Sequence, residues 1–154
     1  RAKMLKVTSA QEMYDTVMNN LQGCDIFIAV AAVADYRPQN TANQKIKKVN
    51  GKNVLTLELI ENPDIVAAVA RHNPRPFTVG FAAETENLVD YARKKLTAKN
   101  LDLVVANDVS DNNIGFNSDN NATTILWRDG ETGFPLMSKS NLSRHIISLI
   151  AERL

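Results

Sequence analysis

Three stretches of the chain are apolar without alternating: residues 25–34 (DIFIAVAAVA), 77–83 (FTVGFAA) and 101–106 (LDLVVA). A strand with one face in water alternates apolar and polar residues, because successive side chains point to opposite faces. A strand covered on both faces has no polar side to show, which is the condition of a parallel sheet between helices. The intervening segments carry helix signals. Ser9-Ala10-Gln11-Glu12 reads as a capping box, with the Ser9 hydroxyl accepting from the Glu12 N–H and the Glu12 carboxylate reaching back. Met13, Val17 and Leu21 follow at every fourth position, and Gly23 is the stop. Asn62-Pro63-Asp64 opens a second helix, with Asn62 as its cap and Ile65, Val66, Val69 and Ala70 on its buried side. Thr85 caps a third over 86–100, and residues 140–154 form a terminal amphipathic helix through Leu142, Ile146, Leu149 and Ile150.

Shorter elements complete the reading. Residues 3–7 suit a short strand. Asn50-Gly51 joins 45–49 to 53–60 as a hairpin, and Asp129-Gly130 joins 123–128 to 134–137 as an edge hairpin. Residues 35–44 and 108–121 are loops, the second long enough to suggest a task of its own. The expected architecture is one α/β domain over 1–154, with a Rossmann-like, mostly parallel sheet, helices on both faces and an added β-hairpin. The balance of 18 basic and 17 acidic residues gives no broad field for nucleic acid. No run approaches the ~18 apolar residues of a membrane span. One cysteine and two histidines leave no disulfide framework and little for zinc, and suit a reducing, cytoplasmic setting. The chain opens on Arg1, so the expectation is that something preceded it.

Ligands of open parallel sheets bind beyond the carboxyl ends of the strands. Those ends carry Asp35-Tyr36-Arg37, Glu84-Thr85-Glu86 and Asn107-Asp108. The two helices after Asn62-Pro63 and Thr85 are expected to aim their N-termini at the same edge, where free N–H groups favour anions. Lys45, Lys47 and Lys48 cluster in sequence, and Lys95 and Lys99 lie one helical turn apart. Taken alone, Lys95 and Lys99 read first as a solvated helix face, and Lys45–Lys48 as a charge-protected edge strand. An anionic substrate such as a triphosphate would use them as mobile point charges. No two of the six glycines form G-x-G, and no Walker A pattern occurs. From residues alone the chain is an anion- or nucleotide-binding α/β domain of open chemistry.

Seven segments in order resemble bacterial phosphopantothenoylcysteine synthetase. They are residues 31–38 (AAVADYRP), 45–48 (KIKK), 62–65 (NPDI), 80–85 (GFAAET), 92–96 (ARKKL), 106–109 (ANDV) and 115–120 (GFNSDN). The resemblance implies a ligase of coenzyme A biosynthesis that joins 4'-phosphopantothenate to L-cysteine. CTP activates the carboxylate as an acyl-cytidylate with release of pyrophosphate, and the cysteine amine then displaces CMP. It implies Mg²⁺ and lysines around the triphosphate and exclusion of water from the mixed anhydride. Carried over by motif, the nucleotide contacts are Ala29, Val30, Ala31, Asp35, Lys45, Asn62, Pro63, Asp64, Ile65, Phe81, Lys95 and Lys99, with Lys45 as the mobile catalytic lysine. Metal ligands are not assigned, and Glu84, Asn107 and Asp108 stay open between ligand contact and scaffold.

The resemblance further implies a homodimer in which the hairpins at 45–60 and 123–137 complete the partner's site. It implies a fused flavin-dependent decarboxylase, which would hold the FMN. Nothing in the chain matches the family's first β-α unit, with its glycine- and serine-rich loop and turnover asparagine. The chain alone is therefore expected to be inactive as a ligase. The alternative is a non-catalytic nucleotide-binding module. A nicotinamide-dependent oxidoreductase is disfavoured by the missing G-x-G-x-x-G.

Overall fold

The computed structural model describes residues 2–47, 54–84, 86–109 and 118–154. In chain order the elements are α1 (Ala10–Asn19), β1 (Ile26–Ala29), β2 (Tyr36–Pro38), β3 (Leu59–Glu61), α2 (Ile65–Ala70) and β4 (Phe77–Glu84). Then follow α3 (Leu88–Ala98), β5 (Leu103–Asp108), β6 (Asn120–Trp127), β7 (Gly130–Ser138) and α4 (Lys139–Ala151). The main sheet has the order β1-β4-β5-β6-β7, and β2 and β3 form a separate antiparallel ribbon. β1, β4 and β5 pair in parallel, with Ala29 opposite Gly80 and Ala83 opposite Asn107. β6 and β7 continue the sheet as an antiparallel hairpin. Among the described residues, no helix is long and apolar enough to cross a membrane.

Helices cover both faces, as expected. α2 and α3 bury Ala70, Ala92 and Leu96 against Ala82, Val104, Ala106 and Leu126. On the opposite face α4 buries Leu142, Ile146 and Ile150 against Val79, Leu103, Val105 and Ile125. Consecutive residues of β5 thus serve two different cores, which is why its sequence does not alternate. α1 packs through Met13 and Val17 against Ile65 and Val69, with Leu21 in the same cluster.

Several local expectations change. Residues 3–7 form no strand. Of the apolar run 25–34, only Ile26–Ala29 is strand. β1 lies at the sheet's edge, and beyond Ala29 the chain leaves the ladder, so Val30 is 63% exposed. Asn50-Gly51 lies outside the described residues, and the flanks 45–47 and 54–58 are not strand. The hairpin pairing is carried instead by β2 with β3. Thr85 also lies outside the described residues; α3 starts at Leu88 after Asn87, whose φ is 49°. Ser9 accepts from the Glu12 N–H as expected, while the Glu12 carboxylate reaches the Thr8 N–H and hydroxyl. Trp127 pairs with Gly130, so the loop of the second hairpin is Arg128-Asp129. A Cβ on Gly130 would meet three Trp127 ring atoms at 2.8–3.0 Å.

Candidate functional site

The polar groups at the strand ends form two connected sets. The first joins the exit of β1 to α2. Asn62 donates from its backbone N–H to the Asp35 carbonyl (2.7 Å) and from Nδ2 to the Ala34 carbonyl (2.8 Å). Its Oδ1 accepts from Arg37, which also donates to the Glu61 carbonyl. Asn62 is thus committed to the loop after β1, and the α2 cap is Asp64, which accepts from the Ala67 N–H at 3.0 Å. This corrects the assignment of the cap to Asn62. Pro63 keeps the residue before it, Asn62, out of the helical region, whereas Asp64 is extended directly ahead of Ile65 and its carboxylate meets the Ala67 N–H three residues on.

The second set brings in α3. Lys99 Nζ lies 2.8 Å from Asp64 Oδ2. Lys95 Nζ donates to the Phe81 carbonyl at 2.7 Å. Burial alone would raise the Asp64 pKa, but the Lys99 and Ala67 hydrogen bonds and the charges of Lys99 and Lys95 outweigh it. The carboxyl therefore sits below its ordinary range. An ammonium has three donors, so the contact with Asp64 does not exhaust Lys99 as a donor to an anion.

On the α4 side of the same strand tips lies a cleft of about 540 Å³. Its walls are Val30, Ala31 and Ala32 after β1, residues 81–83 of β4, and Leu142 and Ile146 of α4. Asn107, Asn121, Ser143 and Lys139 supply its polar atoms. The apolar tail of the run 25–34 therefore lines a cavity rather than a sheet.

The structure brings Asp35, Asn62, Asp64, Phe81, Lys95 and Lys99 into one string at the sheet's carboxyl edge. Ala29 ends β1, and Val30 and Ala31 line the cleft. Pro63 sits between Asn62 and the cap. The Ile65 side chain is in the core against Leu21 and Val69, which leaves only its backbone for a ligand. Lys45 is exposed, and no contact links it to the string among the described residues. Glu84 and Asn107-Asp108 are not beyond their strands but within them. Sequence reading missed Asn121, because it fell in a predicted loop, and missed the α4 residues of the cleft, because helix periodicity assigns them to the core.

No group of three or more His, Cys, Asp or Glu side chains is gathered for a metal among the described residues. Magnesium needs only one or two carboxylates when substrate phosphates complete its shell, and Asp35 offers one.

A family model described as "DNA/pantothenate metabolism flavoprotein C-terminal domain" matches residues 1–154. The chain is 52% identical over 151 residues to the coenzyme A biosynthesis bifunctional protein CoaBC of Vibrio cholerae, with 97% of the chain and 38% of that protein covered. It is 48% identical over 153 residues to the CoaBC of Escherichia coli, with 98% and 38% covered. The crystal structure of the C-terminal domain of a CoaBC superposes with a TM-score of 0.74 at 34% identity, over 95% of this chain and 63% of that one. The chain thus spans under two fifths of the length of these relatives.

Proposed function

Because the chain belongs to the DNA/pantothenate metabolism flavoprotein C-terminal-domain family, we propose that it is the nucleotide-binding part of a CTP-dependent phosphopantothenate–cysteine ligase. In this reading the carboxylate of 4'-phosphopantothenate attacks the α-phosphorus of CTP and expels pyrophosphate. The amine of L-cysteine then attacks the acyl carbon, gives up a proton and expels CMP. The observation that carries the reading is the string from Asp35 and Asn62 through Asp64 to Lys99, with Lys95 anchored on Phe81. It sets two cations at the tips of parallel strands, beside a cleft with apolar walls.

The roles follow from these positions. Lys95 and Lys99 neutralise the triphosphate as charge builds on the leaving pyrophosphate. Lys45, on an exposed segment, closes over it. The apolar walls keep water from the acyl-cytidylate. Asp35 would hold a magnesium ion carried in with the nucleotide, which would supply further charge neutralisation. Ile46, Val54, Leu55, Leu57 and Leu59 are all more than half exposed. Such a concentration of apolar surface supports the homodimer, in which a second copy covers this arm. Flavin chemistry and FMN belong to the remainder of a fused protein.

Thermal-shift titration with CTP, ATP, GTP and UTP, with and without Mg²⁺, tests this directly. A ligand at about 100 times its Kd adds ~2.7 kcal/mol, which raises Tm by roughly 5–10 °C for a domain of this size. CTP with Mg²⁺ is expected to give the largest rise. No rise with any of the four nucleotides refutes the reading.

A further inference from the structure

The cleft contains one polar group that the protein itself does not satisfy. Asn121 is 5% exposed, and its Oδ1 is buried without a hydrogen-bond partner among the described residues. Its Nδ2 donates to Asn107 Oδ1 at 2.7 Å, and the same oxygen accepts from the Thr123 hydroxyl at 2.9 Å. Asn107, Asn121 and Thr123 lie on the face that α4 covers, in register across β5 and β6, where Asn107 is opposite Thr123. Next to Asn121 the β6–β7 pairing shifts register between Asn121 and Thr123. Bulges of this kind re-aim a side chain beside a functional site.

Leaving a buried carbonyl unpaired costs the empty protein free energy, and native interiors rarely tolerate it. Turning both amides over would leave Asn121 Nδ2 unpaired instead, so in either orientation one polar atom of this side chain is open. The cleft that Asn121 lines has Val30, Ala31, Phe81, Leu142 and Ile146 for walls. The anion-directed lysines, Lys95 and Lys99, belong to α3 on the opposite face of the sheet. Lys139 is among the polar residues that also line the cleft, while the walls beside Asn121 are apolar. The open atom there is Oδ1, an acceptor, so the group that meets it carries an N–H.

We propose that Asn121 is a specificity-determining contact, its Oδ1 accepting an N–H of a substrate seated in the cleft. This rests on the ligase reading, which supplies two substrates with such a group. CTP carries an exocyclic amine, and 4'-phosphopantothenate carries an amide. Asn107 positions the Asn121 carboxamide, and Thr123 holds Asn107.

The test compares the wild-type chain with Asn121→Leu, and with Asn121→Ser, a smaller replacement that serves if leucine prevents folding. Binding of CTP, UTP and 4'-phosphopantothenate is measured by calorimetry, and the Tm of each free protein is recorded. The substitution removes the unpaired acceptor together with the Nδ2 bond to Asn107, two effects of opposite sign, so the proposal expects a free-protein Tm within about 4 °C of wild type. It expects one ligand to bind about tenfold more weakly, the loss of one buried hydrogen bond. Weaker CTP binding with unchanged UTP binding identifies the base amine. Weaker phosphopantothenate binding with unchanged CTP binding identifies the amide. Unchanged affinities for all three ligands, at any Tm, leave Asn121 structural and overturn the proposal. If the wild-type chain binds neither CTP nor phosphopantothenate, the ligase reading itself fails, and this inference falls with it.

Discussion

Replacing Lys95 and Lys99 one at a time by methionine separates their structural roles from their shared functional one. The two lysines are one turn apart on α3, yet their surroundings differ. Lys95 Nζ reaches a half-buried main-chain carbonyl, that of Phe81, at 2.7 Å. A hydrogen bond with one charged partner contributes about 1.5–3 kcal/mol, and for a domain of this size each kcal/mol moves Tm by roughly 2–4 °C. Lys95→Met should therefore lower Tm by about 3–12 °C. Lys99 pairs with Asp64 at 2.8 Å, but their side chains are 33% and 47% exposed. Solvent screening at that exposure leaves about 0.2–1 kcal/mol, so Lys99→Met should lower Tm by no more than about 4 °C. In CTP binding the two should converge, each losing roughly tenfold or more, because each removes a charge-assisted contact to phosphate. Scanning calorimetry of the free proteins and titration calorimetry with CTP read both quantities. Tm losses in the stated order with unchanged CTP affinity would refute the reasoning, since the lysines would then be scaffold alone.

Other expectations follow from the same contacts. The Asp64 carboxyl is held below its ordinary 3.8, so its contribution to stability is present above that value and lost as pH falls through the lower folded one. Asp64→Asn should flatten the fall of Tm below about pH 4; a curve parallel to wild type would contradict this. Asp102 accepts two hydrogen bonds from Arg75 (2.6 and 2.8 Å) and one from the Thr78 N–H (2.7 Å). Asp102→Ala strands the Thr78 N–H and should cost about 1–3 kcal/mol in urea unfolding. It lies at the far end of the strands, so nucleotide affinity should stay unchanged. Gly130→Ala presses a methyl against the Trp127 ring, over which Arg153 stacks at 3.9 Å. It should cost about 1–3 kcal/mol and change the tryptophan fluorescence; a silent spectrum would show that the ring is not where the structure has it.

The parallel core was legible because burial on both faces erases alternation, and 77–83 and 101–106 emerged as β4 and β5 within a residue or two. The same signal overran in 25–34. Periodicity reports that residues are apolar, not what covers them, and Val30 and Ala31 are apolar because they wall a cleft. Asn62 misled for a related reason. An asparagine before proline suits a helix cap, but only the tertiary fold shows that its side chain is committed to Ala34 and that Asp64 caps instead. Lys95 and Lys99 could be paired by spacing, whereas their partners, a carbonyl on β4 and a carboxylate on α2, are set by how the helices pack. Asn121 carried no sequence signal, since an asparagine in a polar stretch reads as loop until a strand is seen to bury it.

The most direct measurement is a crystal structure of the chain soaked with CTP and Mg²⁺. The account predicts phosphate oxygens within hydrogen-bonding distance of Lys95 Nζ and Lys99 Nζ, with the nucleotide running past Phe81 and Val30. A nucleotide bound elsewhere on the protein, with no phosphate near either lysine, would contradict it.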